Sequence, residues 1–430
     1  LITPAGERKS LTTKIAAILL PLLLYFFYRY MEQGNIFSLK ADPVSGETSR
    51  FLYLFSQIKV VIHYYLLKLL LPFNLNFEPD IRLLPGFIDG QLIFAVGILG
   101  TGAIMVFPHK SPILQFAALW FFITLLPSSS FIPLKQIVTE HRTYLPGLGF
   151  SLALGWLFLN APSVRALATG LLLAFLSLNF LLTVNRSLDY RSEIILWKDT
   201  VEKSPNKALV HNNLASAYME SEMLEEAKEE LGITLQLNPA QSDAYANFGH
   251  IHFRQEHWNK AIEEFDHAIA LGSNKPDTYY FAGLARSKQK AYGEAIPFLQ
   301  KAVRLRSHKA SYHFYLGNAF RHLGSFDEAL QEFRRTLEIQ PMHSQAQNNI
   351  GVIFWNLKAY ERAEVEFNKA LDIQQNLPEI HQNLATLHLK NNRYANAIPH
   401  LDQVLKLQPG NTTAQKLLDH ALGQMKKGPS

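Results

Sequence analysis

The second half of this chain repeats itself every 34 residues, six times without slippage, and that period constrains the fold more than any other feature. Small residues recur at Ala215, Gly249, Gly283, Gly317, Gly351 and Ala385. A second series is alanine throughout, at Ala227, Ala261, Ala295, Ala329, Ala363 and Ala397. Large apolar side chains follow each of these by four positions, at Leu231, Phe265, Leu299, Phe333, Phe367 and Leu401, and prolines close three of the units at Pro239, Pro341 and Pro409. A unit of this length holds one pair of helices that cannot bury its apolar face alone. Stacked neighbours share a continuous core, the small residues letting helices approach and the large ones filling the gaps. Residues 411 to 427 place Leu417, Leu418, Leu422 and Met425 on one side and charges on the other, as a solvating cap helix does.

The pattern resembles the tetratricopeptide repeat (TPR), which implies an all-α solenoid superhelix over residues 208–410, capped by 411–430. Such an array binds a polypeptide on its concave face, which the first helix of each repeat lines. One register of those helices carries Asn213, Asn247, Asn349 and Asn383, with Phe281 and Tyr315 in the third and fourth repeats. An asparagine amide offers a donor and an acceptor, matching the N–H and C=O of an extended peptide whatever its side chains. The series resembles the asparagine ladder in the TPR superhelix of nucleocytoplasmic O-linked N-acetylglucosamine transferases, from which the two aromatics depart. The competing reading is that these asparagines only solvate or cap helices.

The first half is built differently. A hydrophobic content of 48% averages a series of long apolar runs, up to about residue 184, with a polar repeat array. A spanning helix needs about 20 mostly apolar residues. Leu11 to Met31, Gln91 to Phe107, Pro112 to Leu126, Leu145 to Leu159 and Val164 to Val184 are the expected spans of a multi-pass transmembrane bundle over 1–184, with a juncture at 185–207. A sixth stretch, 51–73, is interrupted by Lys59, His63 and Lys68 on or near one helical face, which places it in the membrane interface. With the N-terminus inside, the short turns obey the positive-inside bias, and the repeats fall on the non-cytoplasmic side: periplasm, or endoplasmic reticulum lumen in a eukaryote. The chain opens on Leu1 and its first apolar run lacks a signal-peptide cleavage site, so it is expected to be a fragment.

Several functions are excluded. A net charge of +5 with no basic stripe argues against a nucleic-acid partner, and the absence of cysteine removes disulfides and thiolate metal sites. His211, His313 and His381 share one usually aromatic register of repeats one, four and six, a whole repeat or more apart; packing accounts for them, and no metal site is expected. No HExxH, GxGxxG, P-loop or nucleophile elbow occurs, so no cofactor is expected.

Three strings, Leu69 to Ile81, Leu125 to Phe150 and Asn185 to Ala215, resemble in order the loop, last-loop and juncture signatures of the transmembrane-and-TPR protein O-mannosyltransferases. That resemblance implies a GT-C type membrane glycosyltransferase, which passes a sugar such as mannose from a polyprenyl-phosphate carrier to protein Ser or Thr hydroxyls, with the repeats holding the acceptor. The stretch "TEHRTYLPGLGF" then offers Arg142 and His141 to grip the donor phosphate, aided by Lys59, His63 and Lys68, while Glu140 orients Arg142 or the acceptor. The duller reading has Arg142 snorkelling to lipid headgroups. The family's acidic residue in the first outer loop has no match in residues 1 to 50, so the chain is either the C-terminal portion of a longer protein or has lost the chemistry. Glu78, Asp80 and Glu140 are the remaining acidic candidates, Glu78 and Asp80 being expected to serve structure. The alternative is a membrane-anchored TPR scaffold for envelope or secretion complexes that catalyses nothing.

Overall fold

A computed structural model of the chain describes residues 55–58, 60–70, 75–79, 93, 95–97, 111–125, 144–159 and 165–426. These residues form helices and connecting turns. They divide into two compact units, 1–221 and 222–430.

The first unit contains a π-helical segment, Val61–Leu66, running into an α-helical turn, Leu67–Leu70. Then come α1 (Pro112–Leu125), α2 (Tyr144–Leu159), α3 (Arg165–Asp189), α4 (Glu193–Lys203) and α5 (Ala208–Glu220). Val60, Val61, Ile62, Tyr64 and Tyr65 are buried in one cluster with Ala95, Phe121 and Leu125. Burial at adjacent positions means this stretch is enclosed on several sides, whereas a helix lying in an interface keeps one face open. The described part of 51–73, the stretch expected in the membrane interface, packs against Ala95, Phe121 and Leu125. Helices α1 and α2 cross closely because position 149 is glycine; a Cβ there would come within 2.5 Å of the Ala117 carbonyl oxygen. Trp120 Nε1 donates to the Leu145 carbonyl at 2.9 Å across the same crossing.

Helix α3 is different in kind. Leu167, Leu171, Leu173, Leu176, Phe180 and Leu181 are all exposed, and its one mid-helix amide, Asn179, is satisfied by the Phe175 carbonyl at 2.9 Å. Thr169–Asp189 is the one helix among the described residues long and apolar enough to cross a membrane; α1 and the Leu145–Leu157 part of α2 are shorter apolar helices. The expected spans Leu11 to Met31 and most of Gln91 to Phe107 lie outside the described residues.

Helix α3 ends on a charged clasp. Arg186 pairs with Asp189 at 2.8 Å and with Asp199 of α4 at 2.7 Å, and lies over the Tyr190 ring. Helix α5 packs on α4, which is why the first helix of the first repeat belongs to this unit.

The second unit is the repeat array: α6 (Leu224–Leu237), α7 (Ser242–Arg254), α8 (Trp258–Ala270), α9 (Pro276–Lys288), α10 (Tyr292–Leu305), α11 (Ala310–His322), α12 (Phe326–Ile339), α13 (Ser344–Asn356), α14 (Tyr360–Ile373), α15 (Pro378–Lys390), α16 (Tyr394–Leu407) and the cap α17 (Thr412–Lys426). Within repeats two to five the small and large residues of the sequence pattern meet directly. A Cβ on Gly249, Gly283 or Gly351 would fall within 2.7 Å of Phe265, Leu299 or Phe367 sixteen positions later. The large residue therefore fills the angle inside its own helix pair.

Each helix pair turns through one left-handed residue, again every 34 positions: Glu222, Glu256, Lys290, Gly324, Lys358 and Asn392, with φ between 56° and 80°. The turn is a Schellman closure, in which the following N–H reaches back to a carbonyl inside the helix, as His257 does to His252 at 2.9 Å and Ala359 to Phe354 at 2.9 Å. Five of the six left-handed positions are not glycine, so residue type alone did not mark them.

Candidate functional site

First helices of successive repeats, α7, α9, α11, α13 and α15, touch one another, while each second helix packs on the first helices flanking it. The first helices therefore form the inner layer of the array. Their exposed edge carries the register read from the sequence as a ladder.

The ladder has two zones. Over repeats two to four it is aromatic. Phe253 meets Phe281 edge-on at 5.2 Å, His250 meets Phe281 at 4.5 Å, and Tyr280 joins Phe281 (4.9 Å) to Tyr315 (5.7 Å) and stacks on Tyr312 (4.9 Å). Phe281 and Tyr315 do not merely interrupt an amide series; they are members of a continuous wall. Tyr312 OH donates to Asp277 Oδ1 at 2.6 Å. Burial, then the neighbouring tyrosines and Asp277, push the Tyr280 phenol well up, so it stays a neutral donor.

Over repeats four to six the ladder is amide. Asn349 Nδ2 donates to Asn318 Oδ1 at 2.8 Å, and Asn383 Nδ2 donates to Asn348 Oδ1 at 2.9 Å. Each bond joins neighbouring first helices, which holds the amides in fixed orientations and commits one N–H of each pair. The Oδ1 atoms of Asn349 and Asn383 make no hydrogen bond among the described residues and are half-exposed, so they can accept from a peptide N–H. Asn247 lies on α7 at the same register, and Asn213 on α5 within the first unit.

The histidines outside the groove prove to be structural pins of a kind the sequence did not reveal. His211, His313 and His381 each place Nε2 against the carbonyl six residues earlier, at Pro205 (2.9 Å), Ser307 (2.9 Å) and Gln375 (2.8 Å). Each bond satisfies a carbonyl beyond the end of the preceding helix, where none is available within the helix. Among the described residues no cluster of three or more His, Asp or Glu side chains could hold a metal ion.

In the first unit the acidic candidate Glu78 is fully buried, its Oε1 3.0 Å from Lys207 Nζ. The surrounding loop is stitched to the juncture: Lys203 Nζ donates to the Leu75 carbonyl (2.7 Å), Asn76 Nδ2 to Ser204 Oγ (2.8 Å), and Ser204 Oγ to the Glu78 carbonyl (3.2 Å). Phe77 packs edge-on against Trp197 at 5.3 Å. A carboxylate with no exposure and a cation as partner is a structural anchor, since a general base has to reach the hydroxyl it deprotonates. Asp80, Glu140, His141, Arg142, Lys59 and the His63 side chain lie outside the described residues. Lys68 is half-buried, its ammonium 5.9 Å from the Tyr64 ring centroid.

Residues 246–310, 282–341, 316–378 and 378–411 match the tetratricopeptide repeat. The array is built of tetratricopeptide repeats. The protein O-mannosyl-transferase Tmtc2 of Drosophila melanogaster is 32% identical over 140 residues, 31% of this chain and 14% of that protein, so the match spans a small part of the relative. Among solved structures the chain is similar to YrrB, a TPR protein described with an unusual peptide-binding site (26% identical, 46% of this chain and 97% of that one, TM-score 0.41). It is also similar to pilF of Pseudomonas aeruginosa (19%, 50% and 97%, TM-score 0.43).

Proposed function

We propose that the repeats hold an extended acceptor polypeptide for a membrane-bound protein O-glycosyltransferase, the chain being tethered by α3 and neighbouring apolar helices. The observation that carries this reading is the amide zone: Asn349 and Asn383, oriented by Asn318 and Asn348, keep Oδ1 acceptors that make no hydrogen bond among the described residues. An extended main chain meets such a row at every repeat without demands on its sequence, which suits an enzyme modifying many segments. The 32% identity to a protein O-mannosyl-transferase supplies the chemistry.

In that chemistry the acceptor Ser or Thr oxygen bonds to the anomeric carbon of a polyprenyl-phosphate sugar such as mannose. The bond to phosphate breaks, the polyprenyl phosphate departs with its charge, and a base takes the hydroxyl proton. Arg142 and His141 are the proposed phosphate grip, with Lys59, His63 and Lys68 adding positive charge; Asp80 and Glu140 remain the acidic candidates. The repeats and the donor then share the non-cytoplasmic compartment. No cofactor beyond the lipid-linked sugar is invoked.

The test is transfer of labelled mannose from polyprenyl phosphate to a Ser/Thr-rich peptide in membranes carrying the chain. Arg142→Ala should abolish transfer with insertion intact, and the double change Asn349→Ala and Asn383→Ala should raise the peptide KM and leave kcat. Peptide capture without transfer would establish a scaffold instead, and failure of both would overturn the reading.

A further inference from the structure

The inner layer carries a cation with no counter-ion among the described residues. Arg321 lies on α11 at the register of Phe253 on α7 and Trp355 on α13, and Phe253 packs on Phe281, so this register faces the ladder side. Its Nη2 donates to His322 Nε2 at 3.0 Å. The His322 ring is stacked on Tyr292 of the preceding repeat, centroids 4.3 Å apart and planes 5° from parallel. The tyrosine thus orients the imidazole, and the imidazole orients the guanidinium.

No carboxylate among the described residues lies within ion-pair distance of Arg321, and its buried Nε has no hydrogen-bond partner there. Burial, then the Arg321 charge, hold the His322 imidazole below its ordinary pKa, so Nε2 stays an acceptor at neutral pH. A half-buried guanidinium oriented by a neutral group and lacking an anion is a site prepared for one.

The two ends of the first helices are unequal in this respect. At their N-terminal ends two acids are engaged, Asp243 by Lys275 at 2.7 Å and Asp277 by Tyr312 at 2.6 Å and Arg306 at 3.6 Å, while Glu379 on α15 is exposed. At the C-terminal ends Lys288 and Lys390 are exposed and, like Arg321, pair with no acid among the described residues. At these same ends Arg254 is met by Glu222 at 3.3 Å, whereas Arg321, Lys288 and Lys390 leave positive charge there that complements an acidic ligand.

We propose that Arg321 anchors an Asp or Glu side chain of the bound polypeptide, so that the groove selects extended acidic segments. This rests on the groove reading above and adds a selectivity that the asparagines do not give. An amide row reads main chain; a forked cation reads carboxylate.

The experiment uses the full chain in detergent micelles and three labelled peptides of equal length rich in Ser and Thr. One carries spaced Glu and a C-terminal amide, the second Gln in place of Glu with the amide, and the third Gln with a free C-terminal carboxylate. The Glu peptide should bind about tenfold more tightly than either Gln peptide. Arg321→Gln should erase that difference and leave Gln-peptide affinity unchanged, while Arg321→Lys should keep part of it. The double change Asn349→Ala and Asn383→Ala should weaken all three alike. Equal binding of all three by the unsubstituted chain would leave the groove standing and overturn the role of Arg321. So would retention of the preference in Arg321→Gln, a preference for the free C-terminus, or displacement of the Glu peptide by inorganic phosphate. No binding of any peptide would overturn the groove reading, and this inference with it.

Discussion

The Nδ1 atom of His313 lies 2.6 Å from Oε2 of Glu332, nineteen residues on and across the helix pair of the fourth repeat. Other repeats join the equivalent positions: Gln347 donates to Glu366 in the fifth, and His381 meets His400, Nδ1 to Nδ1 at 3.0 Å, in the sixth. One geometric slot therefore holds an ion pair, an amide–carboxylate bond and a pair of imidazoles, with different consequences for pH.

In the fourth repeat burial pulls the His313 pKa down, but hydrogen bonds to Glu332 and the Ser307 carbonyl outweigh it and raise it above the ordinary value. A raised histidine stabilises fully below the unfolded value, near 6.5, and loses that contribution as pH climbs through the folded one. Stability of the array should therefore decline as pH climbs above about 6.5. Glu332→Gln should remove that limb and cost about 1–3 kcal/mol at pH 6, read by urea unfolding across pH.

The sixth repeat behaves oppositely. Burial, then the neighbouring His381 and His388, push the His400 pKa down to about 4. The unfolded chain takes up this proton first, so the contribution is intact above about 6.5 and is lost as pH falls toward 4. Hydrogen-exchange protection factors in α15, α16 and α17, corrected for the intrinsic slowing of exchange at low pH, should fall between pH 7 and 5 ahead of those in the central repeats. A His400→Gln chain should not show that fall.

The contact between Gly351 and Phe367 leaves no room for a methyl group: the added Cβ would sit 2.6 Å from the ring. Gly351→Ala should cost about 1–3 kcal/mol by overpacking. Combining it with Phe367→Leu should recover part of the loss, and a double-mutant cycle on thermal unfolding reads the coupling.

The left-handed turns suggest a stabilising change. Lys290 and Lys358 hold φ of 64° and 60°, which costs a residue with a Cβ about 1–2 kcal/mol. Glycine pays back part of that in chain entropy, so Lys290→Gly and Lys358→Gly should each stabilise by about 0.5–1 kcal/mol. Matched Lys→Ala controls should show no gain in urea midpoint.

Lys207 is the cation facing buried Glu78. Lys207→Met should remove one partner of that buried carboxylate and cost about 1–3 kcal/mol, exposing the 75–79 loop to protease. Restoring charge with Lys207→Arg should recover most of the protection.

Much of the array was legible beforehand because each repeat contacts only its neighbours, so packing writes itself into the chain at a fixed period. The spacing of Gly351 to Phe367 is a local contact repeated until it cannot be missed. The apolar character of α3 was equally plain, since a long apolar run can be read from neighbouring residues alone.

What composition and period could not show are relationships between residues far apart in the chain, or between groups whose partners are absent. Asn76 bonds to Ser204 across 128 positions, and no pattern along the sequence announces it. Arg321 reads as one more surface cation until its surroundings show no carboxylate within ion-pair distance among the described residues, and Phe281 reads as a break in a ladder until Tyr280 joins it to Tyr315. The sequence by itself determined which helices form and how they stack, because those choices depend on near neighbours. Only the tertiary structure decided which polar groups are spent on the fold and which remain for a ligand, because satisfaction of a hydrogen bond or a charge depends on everything that surrounds it in space.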